Sequence, residues 1–286
     1  MFGAGGYVGR HVRAALGDQA GVVAVPRTRA DLAEATHAQL TGLMYEIAPD
    51  VVVNCAGVTS GDQADLVRGN VVAVARLLAA LATAAPTARY VHVGSGAEYG
   101  RMPMGEPVTE DAPCDPAGNY GLTKLAGSQL VQAAAADGLD AVVLRVFNLV
   151  GPGAPAESLP QKLAHSLRGD DDLVVGGLEV YRDFVDVRDA ARAIAAAATL
   201  DAAPPPMVNV GSGRATAVHE LVETLVEVAR PGARVVPGSS RAATIPWQCA
   251  DISLAAEALD WRPTTPLRAS LEAMWTPSET PSEATA

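Results

Sequence analysis

Over its first half the chain alternates short runs of β-branched residues with longer stretches rich in Ala and Leu. The β-branched runs predict strands, and the Ala/Leu-rich stretches predict helices. Strands are predicted at residues 22–25, 51–54, 90–94 and 141–147, and helices at residues 7–16, 38–47, 70–84 and 120–136. Because helices separate successive strands, the expected fold is α/β, with a parallel, doubly wound sheet covered on both faces.

The pattern becomes less regular after the segment Gly151-Pro-Gly-Ala-Pro155. Further strands are predicted at residues 173–175, 207–210 and 234–236, and further helices at residues 187–200 and 217–228. Thr216 is the predicted N-cap of the last helix. We expect residues 151–275 to form a smaller α/β region laid over the first, with returns to it. Residues 276–286, rich in Pro, Ser, Thr and Glu, are expected to be a disordered tail.

Composition narrows the classes of function. The chain has 286 residues, is 49% hydrophobic and carries a net charge of −11 without a basic run, which argues against nucleic acid and membrane surfaces as partners. The longest apolar stretch, residues 71–85, is interrupted by Arg76 and is too short to span a bilayer. Cys55, Cys114 and Cys249 are too scattered for a disulfide framework or a metal site, which favours a reducing cytoplasm.

A glycine-rich segment opens the first predicted helix. Gly3-Ala-Gly-Gly-Tyr-Val-Gly9 fits the spacing Gly-x-x-Gly-x-x-Gly, which lets the backbone turn tightly and approach a pyrophosphate at a helix N-terminus. This position predicts a Rossmann-type dinucleotide-binding domain over residues 1–150. The residues predicted to hold the pyrophosphate are Gly3, Gly6, Tyr7, Val8 and Gly9.

Only two residues precede this loop, although a strand should lead into it. We therefore expect the first strand to be truncated, with Met1 and Phe2 as its last two residues and the native N-terminus several residues upstream.

The segment after the second predicted strand indicates which nicotinamide cofactor the chain prefers. Where an Asp or Glu would accept a hydrogen bond from a ribose hydroxyl, the chain has Arg27 and Arg29. A guanidinium pairs well with a 2′-phosphate, so these residues favour NADP, with NAD as a possible second cofactor. The alternative is that both arginines are solvated. Asp31 and Leu32, which follow, are predicted to contact the adenine.

Tyr120-Gly-Leu-Thr-Lys124, with Ser95 upstream, predicts proton transfer during hydride chemistry. A phenol is a poor acid at neutral pH unless a cation lies beside it, and Lys124 is one helical turn from Tyr120. Ser95 is expected to bind the substrate oxygen. The alternative is an amphipathic helix with a surface lysine. That alternative is weakened because the chain has six Tyr and only two Lys, at 124 and 162.

With these motifs in place, the chain resembles the extended short-chain dehydrogenase/reductase family, whose members act on nucleotide sugars, over residues 1–275. Asn54-Cys-Ala-Gly57 looks like the segment that this family places beneath the cofactor, and Asn70 falls where the family has an Asn opening the next helix. The resemblance therefore implies cofactor contacts by Asn54, Ala56 and Asn70, and by Tyr120 and Lys124.

The resemblance continues into the second half. Arg145-Val-Phe-Asn148 looks like the family segment whose Asn reaches the sugar-nucleotide diphosphate. Tyr181-Arg182-Asp-Phe-Val-Asp186 is similar to the signature whose first Arg pairs with a phosphate, and Arg241 is a second candidate. The resemblance thus implies substrate binding by Ser95, Asn148, Arg182 and Arg241. The alternative for Arg182 is an ion pair with Asp183 or Asp186.

Dehydratases of this family carry an acid pair directly after the Ser or Thr, whereas this chain has Gly96 and Ala97. Dehydration is therefore disfavoured. Within the family, the chain looks most like reductases of GDP- and dTDP-linked 4-keto-6-deoxy sugars. The expected function is reduction of such a sugar with NADPH. The alternatives are an NAD-dependent nucleotide-sugar 4-epimerase and a catalytically silent scaffold of the same fold. The family also implies a homodimer, through the helices that carry Asn70 and Tyr120.

Overall fold

The computed structural model describes residues 1–17, 21–239 and 245–276. Its strands are β1 (Val51–Asn54), β2 (Arg89–Ser95), β3 (Ala141–Val146), β4 (Asn148–Val150), β5 (Leu173–Val175), β6 (Tyr181–Asp186), β7 (Met207–Val210), β8 (Ala215–Ala217) and β9 (Val235–Pro237). Its helices are α1 (Tyr7–Leu16), α2 (His37–Ile47), α3 (Gln63–Val67), α4 (Ala73–Ala84), α5 (Asn119–Ala136), α6 (Leu159–Ser166), α7 (Val187–Thr199), α8 (Val218–Ala229), α9 (Ser253–Ala258) and α10 (Leu267–Trp275). A π-helical turn, Arg68–Val72, joins α3 to α4, and a 3-10 turn, Gly96–Glu98, follows β2.

The predicted doubly wound parallel sheet is confirmed. Strands β1, β2, β3 and β7 lie side by side in this order and all run parallel. Phe2 extends the sheet beyond β1, since it pairs in parallel with Asn54 on one side and with Val25 on the other. Met1 and Phe2 therefore lie where the pattern predicts the end of the first strand.

Helices cover both faces of this sheet. On one face, α2 and α4 bury Leu40, Met44 and Leu77 in one apolar cluster. On the other face, α1 and α7 bury Val12 and Ile194 in a second cluster. Burial on both sides explains why the central strands are almost continuously apolar rather than alternating.

Several predicted boundaries differ from the structure. Of residues 22–25, only Val25 pairs in the sheet. The helix predicted at residues 70–84 begins earlier, at Gln63, because Asp62 forms a capping box with Asp65. Thr216 is not a helix cap, because it lies in β8 and α8 begins after Ala217.

The second half of the chain builds a smaller α/β layer. Strands β4, β6 and β8 form one small sheet, β5 pairs with β9, and a third apolar cluster includes Leu163 of α6, Leu221 of α8 and Leu271 of α10. This half returns to the large sheet through α7, which packs on α1, and through β7. The predicted division of labour between residues 1–150 and 151–275 stays a prediction. Most of the predicted tail, residues 277–286, lies outside the described residues.

One helical stretch, residues 63–84, is long and apolar enough to cross a membrane by length and composition alone. This differs from the prediction, which counted only residues 71–85. Its side chains Val74, Leu77 and Leu81 are buried in the core cluster beneath the sheet. The apolar character of the stretch is therefore accounted for by its packing in the fold.

Three buried acids, Asp183, Asp186 and Asp189, hold backbone N–H groups in the second half of the chain. Asp183 accepts hydrogen bonds from the backbone N–H groups of Ser212 (2.6 Å), Gly213 (3.1 Å) and Ala250 (3.1 Å). Asp186 caps α7 by accepting a bond from the N–H of Arg188. Each acid therefore satisfies backbone donors that a buried loop or helix end would otherwise leave unpaired.

Asp189 performs the same task for the chain before α10. Its carboxylate accepts bonds from the N–H groups of Thr264 and Thr265, both at 2.8 Å, and pairs with Arg192. We expect Asp189→Ala to lower the free energy of unfolding by about 3 kcal/mol, because it leaves buried donors unsatisfied. Urea unfolding followed by circular dichroism measures the loss. The control is Thr265→Val, which removes only the hydroxyl that donates to Asp189 (2.8 Å), keeps both backbone N–H bonds and the ion pair, and should cost about 1 kcal/mol. Equal losses would contradict the assignment.

Candidate active site

Two connected cavities open where the parallel strands end. The larger has a volume of about 690 Å³ and the smaller about 440 Å³, and both are lined by Gly6 and by residues 55–58. They meet where the chain order of the sheet reverses, since Phe2 lies between Val25 and β1. In open α/β sheets this switch point is where ligands bind.

The glycine-rich loop lies at the junction of the two cavities. Gly3 has a φ of +67°, and a Cβ there would lie 2.6 Å from the backbone N of Ala56. A Cβ at Gly9 would lie 2.0 Å from the carbonyl oxygen of Gly3. At Gly5, by contrast, no atom of the described residues beyond its chain neighbours lies within 4 Å of where a Cβ would be, so the loop is tight on the protein side and open on the cavity side.

Helix α1 starts at this opening with no side chain capping its first turn. Tyr7 and Val8, the first two residues of α1, line the larger cavity. An uncapped helix N-terminus beside a loop without side chains fits a dinucleotide pyrophosphate. The structure thus brings together the residues predicted to hold it.

Asn54 and Asn70 shape the wall of the cavities rather than project free amides into them. Asn54 accepts a bond from the N–H of Ala56 (3.0 Å) and donates to the Tyr90 hydroxyl (3.0 Å). Asn70 donates to the carbonyl of Val58 (2.8 Å) and accepts from its N–H (2.9 Å). Ala56 and Asn70 line the cavity, whereas Asn54 is buried beneath the loop.

Ser95, Tyr120 and Lys124 all line the larger cavity. Lys124 is only 5% exposed and donates to the carbonyl of Val93 at 2.6 Å, so it is not a surface lysine. Burial lowers the pKa of Lys124, and the negative charge of Glu98 opposes this shift. Burial raises the pKa of Tyr120, and its interaction with the Ser95 side chain opposes that shift.

Glycines bring α5 close enough to the turn after β2 and to the π-helical turn to build this set. A Cβ at Gly121 would lie 2.5 Å from the carbonyl oxygen of Ala97, and one at Gly127 would lie 2.4 Å from that of Asn70. Any larger residue would push the helix away from the strand end. The Tyr-x-x-x-Lys spacing therefore yields a site only because these two positions lack side chains.

Glu98 is a residue of the site that the sequence interpretation missed. Its carboxylate is fully buried and accepts bonds from the N–H of Ser95 (2.8 Å), the hydroxyl of Ser128 (2.9 Å) and Nε of Arg145 (2.8 Å). The signal in the sequence was Ser95-x-x-Glu98, which is the pattern of a capping box, and the structure forms that box.

Position 96 is tightly packed and carries no acid. A Cβ at Gly96 would lie 3.0 Å from the ring of Phe147, and Ala97 has no group that can transfer a proton. The neighbouring Glu98 is occupied by its ion pair with Arg145. This packing agrees with the expectation that dehydration is disfavoured.

Other cavity-lining polar residues that the sequence interpretation missed are Thr59, Ser60, Glu157, Ser158 and Gln248.

Of the two candidate arginines, Arg27 lines the smaller cavity and Arg29 does not. Arg27, Asp31 and Leu32 line it, and Arg27 pairs with Asp31 at 2.7 Å. The hydrogen bond from Arg27 lowers the pKa of Asp31. Arg29 does not line the cavity and pairs with Glu46 at 2.7 Å.

The predicted substrate residues are only partly brought together. Asn148 lines the larger cavity and donates to the carbonyl of Asp183 at 3.2 Å. Arg182 does not line it; its guanidinium donates to the carbonyl of Tyr181. Within the described part of the chain, Arg182 forms no ion pair, and the alternative pairing with Asp183 or Asp186 is not observed. Arg241 lies outside the described residues.

Comparison with known proteins connects this site to a family. The model of the NAD dependent epimerase/dehydratase family matches residues 1–211. The chain is 36% identical over 261 residues to dTDP-6-deoxy-L-talose 4-dehydrogenase (NAD(P)(+)) of Kitasatospora kifunensis, covering 87% of this chain and 82% of that protein. It is 29% identical over 255 residues to GDP-6-deoxy-D-mannose reductase of Pseudomonas aeruginosa, covering 84% and 82%.

Solved structures give the same result. The structure of RMD from Pseudomonas aeruginosa complexed with NADPH has a TM-score of 0.84 and 28% identity, covering 96% of this chain and 95% of that one. MoeE5 in complex with UDP-glucuronic acid and NAD has a TM-score of 0.81 and 28% identity, covering 96% of both chains. The family match spans the glycine loop, the Ser95, Tyr120 and Lys124 set, and Asn148. The chain therefore belongs to the NAD-dependent epimerase/dehydratase family.

Proposed function

We propose that this protein reduces the 4-keto group of a nucleotide-linked 4-keto-6-deoxy sugar with NADPH. The family and the relatives already identify the chain as an NAD(P)-dependent enzyme of the kind that modifies nucleotide sugars. The observation that carries this proposal is a Ser–Tyr–Lys set on the cavity wall, with Gly96 and Ala97 where a dehydratase has an acid pair. Such a set can protonate a carbonyl oxygen but cannot remove and return protons at neighbouring carbons.

The residues of the chain divide the reaction between them. A nicotinamide cofactor, when bound, supplies the hydride that adds to C4 of the sugar. Tyr120 gives its hydroxyl proton to the oxygen that becomes an alkoxide, and Ser95 orients that oxygen by a hydrogen bond. Lys124, one helical turn from Tyr120, supplies the positive charge that stabilises the phenolate left behind.

The arrangement of the two cavities supports a proposal for where each end of the cofactor binds. The glycine loop lies between them, Tyr120 lies in the larger one, and Arg27 and Asp31 lie in the smaller one. A dinucleotide held by its pyrophosphate at the loop would therefore place its nicotinamide near Tyr120 and its adenosine near Arg27. Solved neighbours bound to NADPH or to NAD support a site of this kind.

A nucleotide-sugar 4-epimerase is the second candidate. It is favoured by Asp31, a carboxylate in the smaller cavity that can accept a bond from a ribose hydroxyl of NAD. UDP-glucose 4-epimerase of Azospirillum brasilense is 28% identical over 303 residues. An epimerase would retain NAD through purification and need no added reductant. The intact Ser95, Tyr120 and Lys124 set argues against a catalytically silent scaffold.

We propose that the enzyme works in the cytoplasm as a homodimer. The cysteines Cys55, Cys114 and Cys249 are all free, which suits a reducing compartment.

The proposed dimer contact rests on exposed apolar side chains: Leu122 of α5 is 52% exposed and Val67 of α3 is 38% exposed. Exposed apolar side chains on two adjacent helices fit contact with the same helices of a second copy.

Replacing Tyr120 by Phe should lower kcat for NADPH oxidation by at least ~10²-fold, because the positioned acid is lost. The assay uses GDP-, dTDP- and UDP-linked 4-keto-6-deoxy sugars. The control is Tyr45→Phe, which changes a tyrosine that is 63% exposed on α2. Since reduction requires the protonated phenol and burial raises its pKa, the wild-type rate should be flat near neutrality and fall only at alkaline pH. Turnover by the Phe variant at the wild-type rate would refute the assignment.

Arg27→Gln should raise the Kd for NADPH by about tenfold or more and leave that for NADH nearly unchanged, because a charged hydrogen bond to phosphate is lost. Fluorescence titration of the free enzyme measures both constants. Arg29→Gln is the matched control, because Arg29 pairs with Glu46 away from the cavity. If the Arg29 variant has the larger effect, the placement of the adenosine end is wrong.

Leu122→Glu should convert the homodimer to a monomer, because it places two charges in the proposed apolar contact. Light scattering coupled to size-exclusion chromatography gives the mass. Val174→Glu is the control, since Val174 is 65% exposed but lies on β5. A wild-type chain that is already monomeric at assay concentrations would contradict the proposal.

A further inference from the structure

Glu98 is a buried acid that the proposed reaction does not use. It has no exposed surface, and a carboxylate taken out of water costs several kcal/mol unless it is paired. Its partners are the N–H of Ser95, the hydroxyl of Ser128 and Nε of Arg145. Because burying a carboxylate costs free energy, the position of Glu98 three residues from Ser95 indicates that it has a role at the site.

The two oxygens of Glu98 face different parts of the structure. Oε2 accepts the bond from Arg145 on β3. Oε1 accepts the bonds from Ser95 at the end of β2 and from Ser128 on α5. A Cβ at Gly94 would lie 2.8 Å from Oε1, so this oxygen lies directly against β2. Arg145 thus neutralises one side of the carboxylate, and the other side is directed toward α5.

Lys124 is the buried cation on that side. It lies on the same face of α5 as Ser128, one helical turn away. Its ammonium binds the carbonyl of Val93, the residue before Gly94. The hydrogen bond of Oε1 with Ser95 and that of the ammonium with Val93 are therefore two residues apart along β2, where residues rise about 3.3 Å. On α5, Ser128 and Lys124 are one turn apart.

The other titratable groups around Lys124 supply no negative charge. Burial raises the pKa of the Cys55 thiol to about 12, and it also raises the pKa of the Tyr120 phenol. Burial and the charge of Lys124 hold the pKa of His92 well below its usual range, so its imidazole is neutral. Arg145 is a cation already paired with Glu98. Glu98 is the group among the described residues that opposes the loss of the Lys124 proton most strongly.

We propose that Glu98 is a positioning residue of the active site: its buried carboxylate fixes Ser95 through the backbone N–H and supplies the counter-charge for the ammonium of Lys124. It touches neither the reacting atoms nor the cofactor cavity. The inference rests on the proposed function in one respect, that Lys124 must stay charged beside Tyr120 for proton transfer.

The two lysines of the chain allow a direct test without substrate. Protein labelled with ¹³C-lysine gives signals from Lys124 and Lys162 alone, and Lys162 is exposed and serves as an internal reference. In Glu98→Gln the amide oxygen still accepts the bond from Ser95, but the charge is gone. We expect Lys124 to lose its proton at lower pH than in the wild type, because the carboxylate no longer stabilises the ammonium, while Lys162 titrates as before.

Ser128→Ala is the matched control. It removes a neutral hydrogen bond to the same carboxylate oxygen and keeps the charge, so Lys124 should titrate as in the wild type. Lys124 titrating at the same pH in Glu98→Gln and in the wild type would overturn the proposal. Should Glu98→Gln fail to fold because Arg145 is left unpaired, the double variant Glu98→Gln, Arg145→Gln removes both charges, and the same shift is expected.

Activity supplies an independent readout. Because the carboxylate raises the pKa of both Tyr120 and Lys124, its removal should move the alkaline limit of reduction to lower pH. The KM values for NADPH and sugar should stay within about twofold, since Glu98 contacts neither. An unchanged alkaline limit would overturn the proposal. A shifted Lys124 titration in a protein that reduces no 4-keto sugar would leave this inference standing and refute the proposed function.

Discussion

The close approach of α5 to the end of β2 is the constraint on which the site depends. Gly121 and Gly127 leave no side chain between the helix and the backbones of Ala97 and Asn70. At this distance the ammonium of Lys124 reaches the carbonyl of Val93, and Ser128 reaches Glu98. A helix packed at an ordinary distance would leave the lysine near solvent and the tyrosine away from Ser95. The proton-transfer set is thus a consequence of backbone packing as much as of residue identity.

Buried polar groups do the rest of the positioning. Glu98 and Arg145 link the turn after β2 to β3, and Asn54 and Asn70 fix the loop that separates the two cavities. Asp183 ties together segments far apart in the sequence. The carboxylates and amides among these groups accept bonds from backbone N–H groups that would be costly to leave unpaired. Several charged residues of the family signatures therefore stabilise the structure of the cleft and do not contact its ligands.

Local patterns predicted the first half of the fold well because its strands and helices are long and their order is repetitive. The second half was harder. Helix α6 and strand β6 were missed, and the run of 141–147 hid a bend at Phe147, where the chain leaves one sheet for another. Strands of three residues, such as β8, carry little periodic signal. Their pairing depends on partners distant in the chain, which no local window contains.

Local sequence was sufficient to predict the glycine cradle, the Tyr120 and Lys124 spacing, and the absence of an acid at 96 and 97, because each is a property of neighbouring residues along one element. Folding separates Arg27 from Arg29, which lie two residues apart in the chain but pair with different acids, Asp31 and Glu46. The tertiary structure also revealed Glu98 behind the catalytic set and placed Arg182 away from the cavity wall. The physical reason is the same in each case: burial and charge pairing are set by segments that meet only when the chain is folded.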